Sequence, residues 1–154
     1  MRLYSRIHLL VSGIPILLFG VLIYVFFYPT KITIIPFFGI DISEYKVSLQ
    51  SPFLNSIIYS ITSFIHVIVM TLFASSASIN ISHKIIVKWG LFWGIVNTIF
   101  EIMQSEYILS KSNLSLNWIA EYSSNNTYSH LDLLFIWCAF FLIFILFGIR
   151  KDVS

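Results

Sequence analysis

Four long runs of uncharged, apolar residues are the feature that most limits how this chain of 154 residues can fold. A helix needs roughly 20 apolar residues to cross the hydrocarbon core of a bilayer. The runs cover about residues 7–28, 52–76, 85–105 and 129–149. They are too long for the strands of a membrane barrel and lack the alternation of such strands. We therefore predict an all-α integral membrane bundle of four transmembrane helices, forming a single domain over residues 1–154.

The composition agrees with this class. Only 10% of the residues are charged and 58% are hydrophobic, whereas about 25% are charged in a typical soluble domain. So few charges exclude a soluble enzyme, a disordered regulator and a nucleic-acid-binding module, because each needs a charged or solvated surface. The single cysteine, Cys138, excludes a disulfide or thiolate metal framework. The expected partner is the lipid bilayer, while cofactors and oligomeric state stay open.

The first run could instead be a signal peptide, because basic residues precede it. It is longer than the usual apolar core of 7–15 residues, and no small-residue cleavage pattern follows it. We interpret it as a retained helix, in which Gly13, Pro15 and Gly20 are expected at a kink or at a close helix contact.

The distribution of basic residues predicts the orientation. Six of them fall on one side of the predicted helices: Arg2, Arg6, Lys84, Lys88, Arg150 and Lys151. The other side has three lysines and several acidic residues. By the positive-inside rule, both termini are cytoplasmic and the loops of residues 29–51 and 106–128 face outward. We thus expect a multi-pass protein of the cell inner (cytoplasmic) membrane.

Polar residues inside the runs need an explanation, because an ionisable group at the centre of a bilayer costs about 2.5–3.5 kcal/mol on insertion scales. On the third helix, Asn97, Glu101 and Gln104 stand at i, i+4 and i+7, and Gly90 and Gly94 continue the same face. This face is expected to turn away from lipid and into the bundle.

The second helix shows the same spacing. Its polar side, expected to face the bundle too, carries Tyr59, Ser63, His66 and Met70. His66 lies 14 residues beyond the start of this run, about 20 Å from its outer end, which is deep for direct contact with Glu101.

Glu101, Gln104 and Asp132 are expected to share one pocket at the outer leaflet, because the third helix ends there and the fourth begins there. Two carboxylates and a histidine can serve general acid/base catalysis or hold a divalent metal, although we assign no metal ligands. The alternative is structural. Glu101 and Gln104 would then hydrogen-bond neighbouring helices, and Asp132 would cap the fourth helix.

Three segments together resemble a known family. They are Ser63-Phe64-Ile65-His66, Asn97-Thr98-Ile99-Phe100-Glu101-Ile102-Met103-Gln104 and Thr127-Tyr128-Ser129-His130-Leu131-Asp132-Leu133-Leu134. In order and spacing they are similar to elements of VanZ-like small bacterial membrane proteins, in an uncharacterised branch of that family. The resemblance covers the second to fourth helices.

The resemblance implies which positions matter. The family's signature positions would be Ser63, His66, Asn97, Glu101, Gln104 and Asp132. Among these, Glu101, Asp132 and His66 are the catalytic candidates, and the other three would bind substrate. Ser129 stands where the branch usually has a second aspartate. Founding members are associated with glycopeptide (teicoplanin) resistance, which implies a role at the cell envelope.

Three functions follow from these residues. The first is an enzyme or accessory factor acting on a lipid-linked or cell-wall substrate at the outer leaflet, with Glu101 as general base or metal ligand, Asp132 as its partner and His66 as a relay. The second is a non-catalytic protein whose polar faces serve packing, lipid binding or partner binding. The third, an ion pathway, is disfavoured, because the inner halves of the third and fourth helices carry no acidic residue.

Overall fold

The computed structural model of the chain describes residues 5–27, 47, 50–104 and 129–149. Within them, four helices are long and apolar enough to cross a membrane. These are α1 (Arg6–Phe27), α2 (Pro52–Ala77), α3 (His83–Met103) and α4 (His130–Ile143), the last extended by a π-helical turn over Phe144–Gly148. The prediction of an all-α four-helix bundle is confirmed. Most of both predicted outer loops, and the basic residues Arg2, Arg150 and Lys151, lie outside the described residues.

Serine residues start the second and third helices. Ser51 Oγ accepts a hydrogen bond from the backbone N–H of Leu54, and Ser82 Oγ accepts one from Ile85. Such N-caps satisfy N–H groups that have no partner inside the helix. Between α2 and α3 lies a short turn over residues 78–82, so these two helices run antiparallel.

α2 is the central helix, because α1, α3 and α4 all pack against it. α1 lies on the outside of α2 and approaches it closely at two glycines. A Cβ atom at Gly13 would fall 2.7 Å from the Phe73 ring, and one at Gly20 would fall 2.8 Å from Ile65 Cγ2. The prediction of close contacts at these glycines is confirmed, while Pro15 lies on the exposed side of α1.

α3 and α4 also approach each other at a small residue. A Cβ atom at Gly90 would fall 3.0 Å from Ile143 Cγ2 of α4. Around this contact lies the largest cluster of buried side chains, which draws on all four helices. It consists of Leu9, Val67, Leu72, Ile81, Ile86, Ile136, Ala139 and Ile143. The predicted inward face of α3 is confirmed, since Gly90, Gly94 and Glu101 are buried on it.

The predicted inward face of α2 is found only in part, since Tyr59, Ser63 and Met70 are partly buried. Its buried polar side chains are those of Ser60, Thr71, Ser75 and Ser76, whereas His66 is exposed. Small side chains let neighbouring helices approach, and in a membrane this packing drives association. A serine or threonine hydroxyl can also be satisfied by its own helix, as Thr71 Oγ1 is by the carbonyl of Val67 at 2.6 Å. Side-chain size, more than polarity, thus orients α2.

The outer surface of the bundle is apolar. Large hydrophobic side chains remain exposed along all four helices, among them Leu18, Phe53, Ile99 and Phe141. A soluble protein would hide such a continuous surface, but lipid tails cover it without cost. The chain is therefore a multi-pass membrane protein.

Candidate functional site

Glu101 joins the end of α3 to the start of α4. Its side chain is 7% exposed, and its Oε1 accepts a hydrogen bond of 2.7 Å from the backbone N–H of Ser129. Ser129 is the N-cap of α4. The carboxylate therefore sits at the positive end of that helix, where a negative charge is favoured.

Asp132 follows in the first turn of the same helix. The pattern Ser129-x-x-Asp132 is that of a capping box, in which the acidic side chain would accept the N–H of the N-cap residue. Glu101 takes that N–H instead, and the Ser129 side chain makes no capping hydrogen bond. Asp132 Oδ1 is left buried, with no hydrogen-bond partner in the described part of the chain. The capping role expected of Asp132 thus belongs to Glu101.

Ser60 brings α2 into this cluster. It is fully buried, and its hydroxyl faces the Asp132 carboxylate. The contact falls short of hydrogen-bonding geometry, because Ser60 Oγ also has no partner among the described residues. Glu101 and Asp132 lie close enough for their negative charges to repel each other. We call Ser60, Glu101, Ser129 and Asp132 the carboxylate pocket.

An aromatic pair lies in the next layer toward the middle of the bundle. Phe64 is one turn beyond Ser60 on α2, and Phe135 is about one turn beyond Asp132 on α4. Their rings meet edge to face, with centroids 6.4 Å apart. The pair lies on the inner side of the carboxylate pocket, between it and the larger cluster of buried apolar side chains.

The structure does not bring His66 to the carboxylates. Its ring packs against Trp93 of α3, with centroids 6.3 Å apart. Trp93 is two turns from Glu101 along α3. Ser63 is partly buried on the same side of α2 as His66. A relay from His66 to Glu101 therefore has no direct path.

The two amides of α3 have different surroundings. Asn97 is partly buried and donates a 2.8 Å hydrogen bond to the carbonyl of Trp93 in its own helix. Gln104 is buried at the end of α3, and its backbone N–H bonds to the Glu101 carbonyl. Gln104 therefore lies beside the pocket, whereas the Asn97 amide is engaged within α3.

Sequence reasoning missed two members of the pocket. Ser60 and the backbone of Ser129 were not among the predicted site residues. A signal for Ser60 exists, because Ser60, Val67, Thr71 and Ser75 recur at helical spacing as a face of small side chains. The role of Ser129 had no such signal. Its contribution is a backbone N–H, which every residue except proline has.

No protein-family model, curated protein or solved structure matches this chain. Fold and site define its class as a multi-pass, all-α membrane protein with a buried two-carboxylate pocket at one end of the bundle. A group of three or more His, Cys, Asp or Glu side chains suited to a metal is absent from the described residues.

Proposed function

We propose that this chain is an inner-membrane protein that binds the polar head of an amphiphilic cell-envelope substrate, such as a lipid-linked precursor, in the carboxylate pocket. One observation carries the proposal. Glu101 caps α4 in place of Asp132, and Asp132 Oδ1 is thereby left buried without a hydrogen-bond partner among the described residues. A buried acceptor without a partner is unfavourable, so a ligand that supplies a proton or a positive charge would be bound there.

The side of the membrane follows from the charges. The described basic residues Arg6, Lys84 and Lys88 lie at the opposite end of the bundle from the pocket. If that end is cytoplasmic, as the positive-inside rule predicts, the pocket lies near the outer leaflet. Lipid head groups and envelope precursors are accessible at that depth.

The two carboxylates have different roles in this proposal. Glu101 orients the start of α4 through Ser129, and Asp132 contacts the substrate as acceptor or general base. This assignment differs from the one expected from the sequence, in which Glu101 was the general base or a metal ligand. The resemblance to VanZ-like proteins supports an envelope role, and it extends the proposal to glycopeptide susceptibility.

The test compares chromosomal variants in the bacterium that carries the gene. Asp132→Asn should change teicoplanin susceptibility to the level of a deletion strain, at wild-type protein abundance in the membrane. Glu101→Gln, which keeps an acceptor for the Ser129 N–H, should change it less. Ser75→Ala is the control, because Ser75 is equally buried on α2 but lies about 22 Å from Ser60 along the helix. Wild-type susceptibility of Asp132→Asn, where deletion has an effect, would contradict the proposal.

A non-catalytic role is the second candidate, and the Glu101–Ser129 hydrogen bond favours it. That bond links α3 to α4, as a packing role for Glu101 requires. In this case both carboxylate variants would lower the abundance or the thermal stability of the protein. Any change in susceptibility would then match the loss of protein from the membrane. Immunoblotting of membranes beside the susceptibility assay separates the two candidates.

A further inference from the structure

Two buried oxygen atoms in the carboxylate pocket remain unexplained by the packing of the helices. Asp132 Oδ1 and Ser60 Oγ have no hydrogen-bond partner in the part of the chain that the structure describes. They come from different helices, α4 and α2, and face each other across the contact between these helices. Ser60 is 0% exposed, so its hydroxyl points into the pocket and away from lipid.

No lysine or arginine in the described ranges lies close to the carboxylates of the pocket. Glu101 adds a second carboxylate close to that of Asp132. Lys88 is 13 residues before Glu101 on α3, which places it about 20 Å away along the helix. Arg6 is farther along the bundle, where it donates to the carbonyl of Ser78. The positive amino-terminal end of α4 offsets only a fraction of a charge, so a cation fits the two described carboxylates.

We propose that the carboxylate pocket binds a divalent cation of the Mg²⁺ or Mn²⁺ type, with Asp132 Oδ1 and Ser60 Oγ as ligands and Glu101 as the third oxygen donor. Hard cations prefer oxygen ligands, and Mg²⁺ is commonly held by one or two carboxylates while it keeps several waters. Two carboxylates and a hydroxyl match this pattern. They would suit zinc poorly, since zinc sites usually include histidine or cysteine.

The Glu101–Ser129 hydrogen bond has a definite role in such a site. Ser129 N–H holds Oε1 and thus orients the carboxylate, as an outer partner of a ligand does in many metal sites. The other oxygen, Oε2, can then turn toward the cation. The Phe64–Phe135 pair lies on the other side of the site, in the next layer toward the middle of the bundle.

This inference rests on the proposed function and narrows it, because Asp132 would then act on the substrate through the cation and not as its direct acceptor. Two bare carboxylates repel a phosphate group, whereas a divalent cation between them attracts it. A phosphate-bearing head group is therefore the substrate class that a cation at this position would accept.

The test measures binding of Mn²⁺ alone to the full-length protein in detergent micelles by electron paramagnetic resonance, in which free aqueous Mn²⁺ gives a six-line spectrum. The wild type should remove about one equivalent of this signal in a saturable titration, and Mg²⁺ should compete. Asp132→Asn and Ser60→Ala should each weaken binding by about tenfold or more.

Ser75→Ala is the matched control, because Ser75 Oγ is also buried and without a partner among the described residues, but far from the pocket. It should bind Mn²⁺ like the wild type. If Asp132→Asn disturbs folding, the comparison of Ser60→Ala with Ser75→Ala is sufficient to test the cation site. No saturable binding to the wild type, or equal binding by these two serine variants, would overturn the cation site.

The result that would overturn the cation site can be distinguished from the result that would overturn the proposed function. If susceptibility depends on Asp132 but the wild type binds no Mn²⁺, the function stands and the cation site is wrong. If Mn²⁺ binds as expected while susceptibility is unaffected by Asp132→Asn, the cation site stands and the envelope function is wrong.

Discussion

The Glu101 carboxylate caps the start of α4, although Asp132 stands at the position in the sequence where a capping acid is expected. It accepts the N–H of the N-cap residue Ser129 at 2.7 Å, although Asp132 stands three residues further along the same helix, at the usual position of the capping acid. A cap supplied by another helix also ties α3 to α4. Asp132 Oδ1 is consequently left without a hydrogen-bond partner among the described residues.

The first prediction concerns this cap. Glu101→Ala should lower the free energy of unfolding by about 1.5–3 kcal/mol, because it leaves the Ser129 N–H without its charged acceptor. Glu101→Gln keeps an acceptor oxygen and should retain most of that stability. Thermal unfolding in detergent, followed by circular dichroism, compares the two. Equal stability of Glu101→Ala and the wild type would show that the cap is unimportant.

The second prediction concerns Asp132 in the absence of divalent cations. Asp132→Asn should raise the free energy of unfolding by about 1 kcal/mol in the presence of a chelator, because it removes a buried charge whose Oδ1 has no partner among the described residues. Added Mg²⁺ should stabilise the wild type and reverse the order. A loss of stability in the chelator would instead assign Asp132 a packing role.

A third prediction tests the contact between α1 and α2. Gly20→Ala should destabilise the bundle by about 1–3 kcal/mol, since its Cβ would fall 2.8 Å from the buried, stiff side chain of Ile65. Gly94→Ala is the control, because its nearest neighbour would be Phe140 Cβ at 3.9 Å. That change should be neutral or stabilise by about 0.5 kcal/mol through helix propensity. The same thermal unfolding assay measures both variants.

Two tryptophans of α3 provide the fourth prediction. Trp89 Nε1 donates a 2.8 Å hydrogen bond to Ser78 Oγ, so Trp89→Phe should lose about 0.5–1.5 kcal/mol for that bond, besides any change in packing. Trp93 Nε1 is buried without a partner among the described residues, and Trp93→Phe should lose no hydrogen-bond energy. Chemical or thermal denaturation of both variants, with Ser78→Ala as a third, checks the difference. Trp89→Phe and Ser78→Ala should not be additive, since they break the same bond.

Much of the fold was predictable from local sequence. The four helices begin and end within about two residues of the apolar runs, because the bilayer requires spans of that length whatever their neighbours are. The inward face of α3 was predictable too. Its glycines and its polar residues coincide on one side, so close packing and the avoidance of lipid favour the same rotation.

The rotation of α2 was not predictable in this way. Its polar residues form two competing faces, one with Tyr59 and His66 and the other with Ser60 and Ser75. Only the second has side chains small enough for α2 to contact three helices at once. His66 therefore packs beside Trp93 at the surface, and the histidine that the sequence suggested for the site is away from the carboxylates.

The amino-acid sequence by itself determined the class of protein and the number and limits of its helices, because these depend on the length and polarity of continuous segments. It also placed Glu101 and Asp132 at the same end of the bundle. Only the tertiary structure decided which partners they have. A backbone N–H of Ser129 and a hydroxyl of Ser60 reach the pocket from distant parts of the chain, and contacts of this kind depend on how the helices pack.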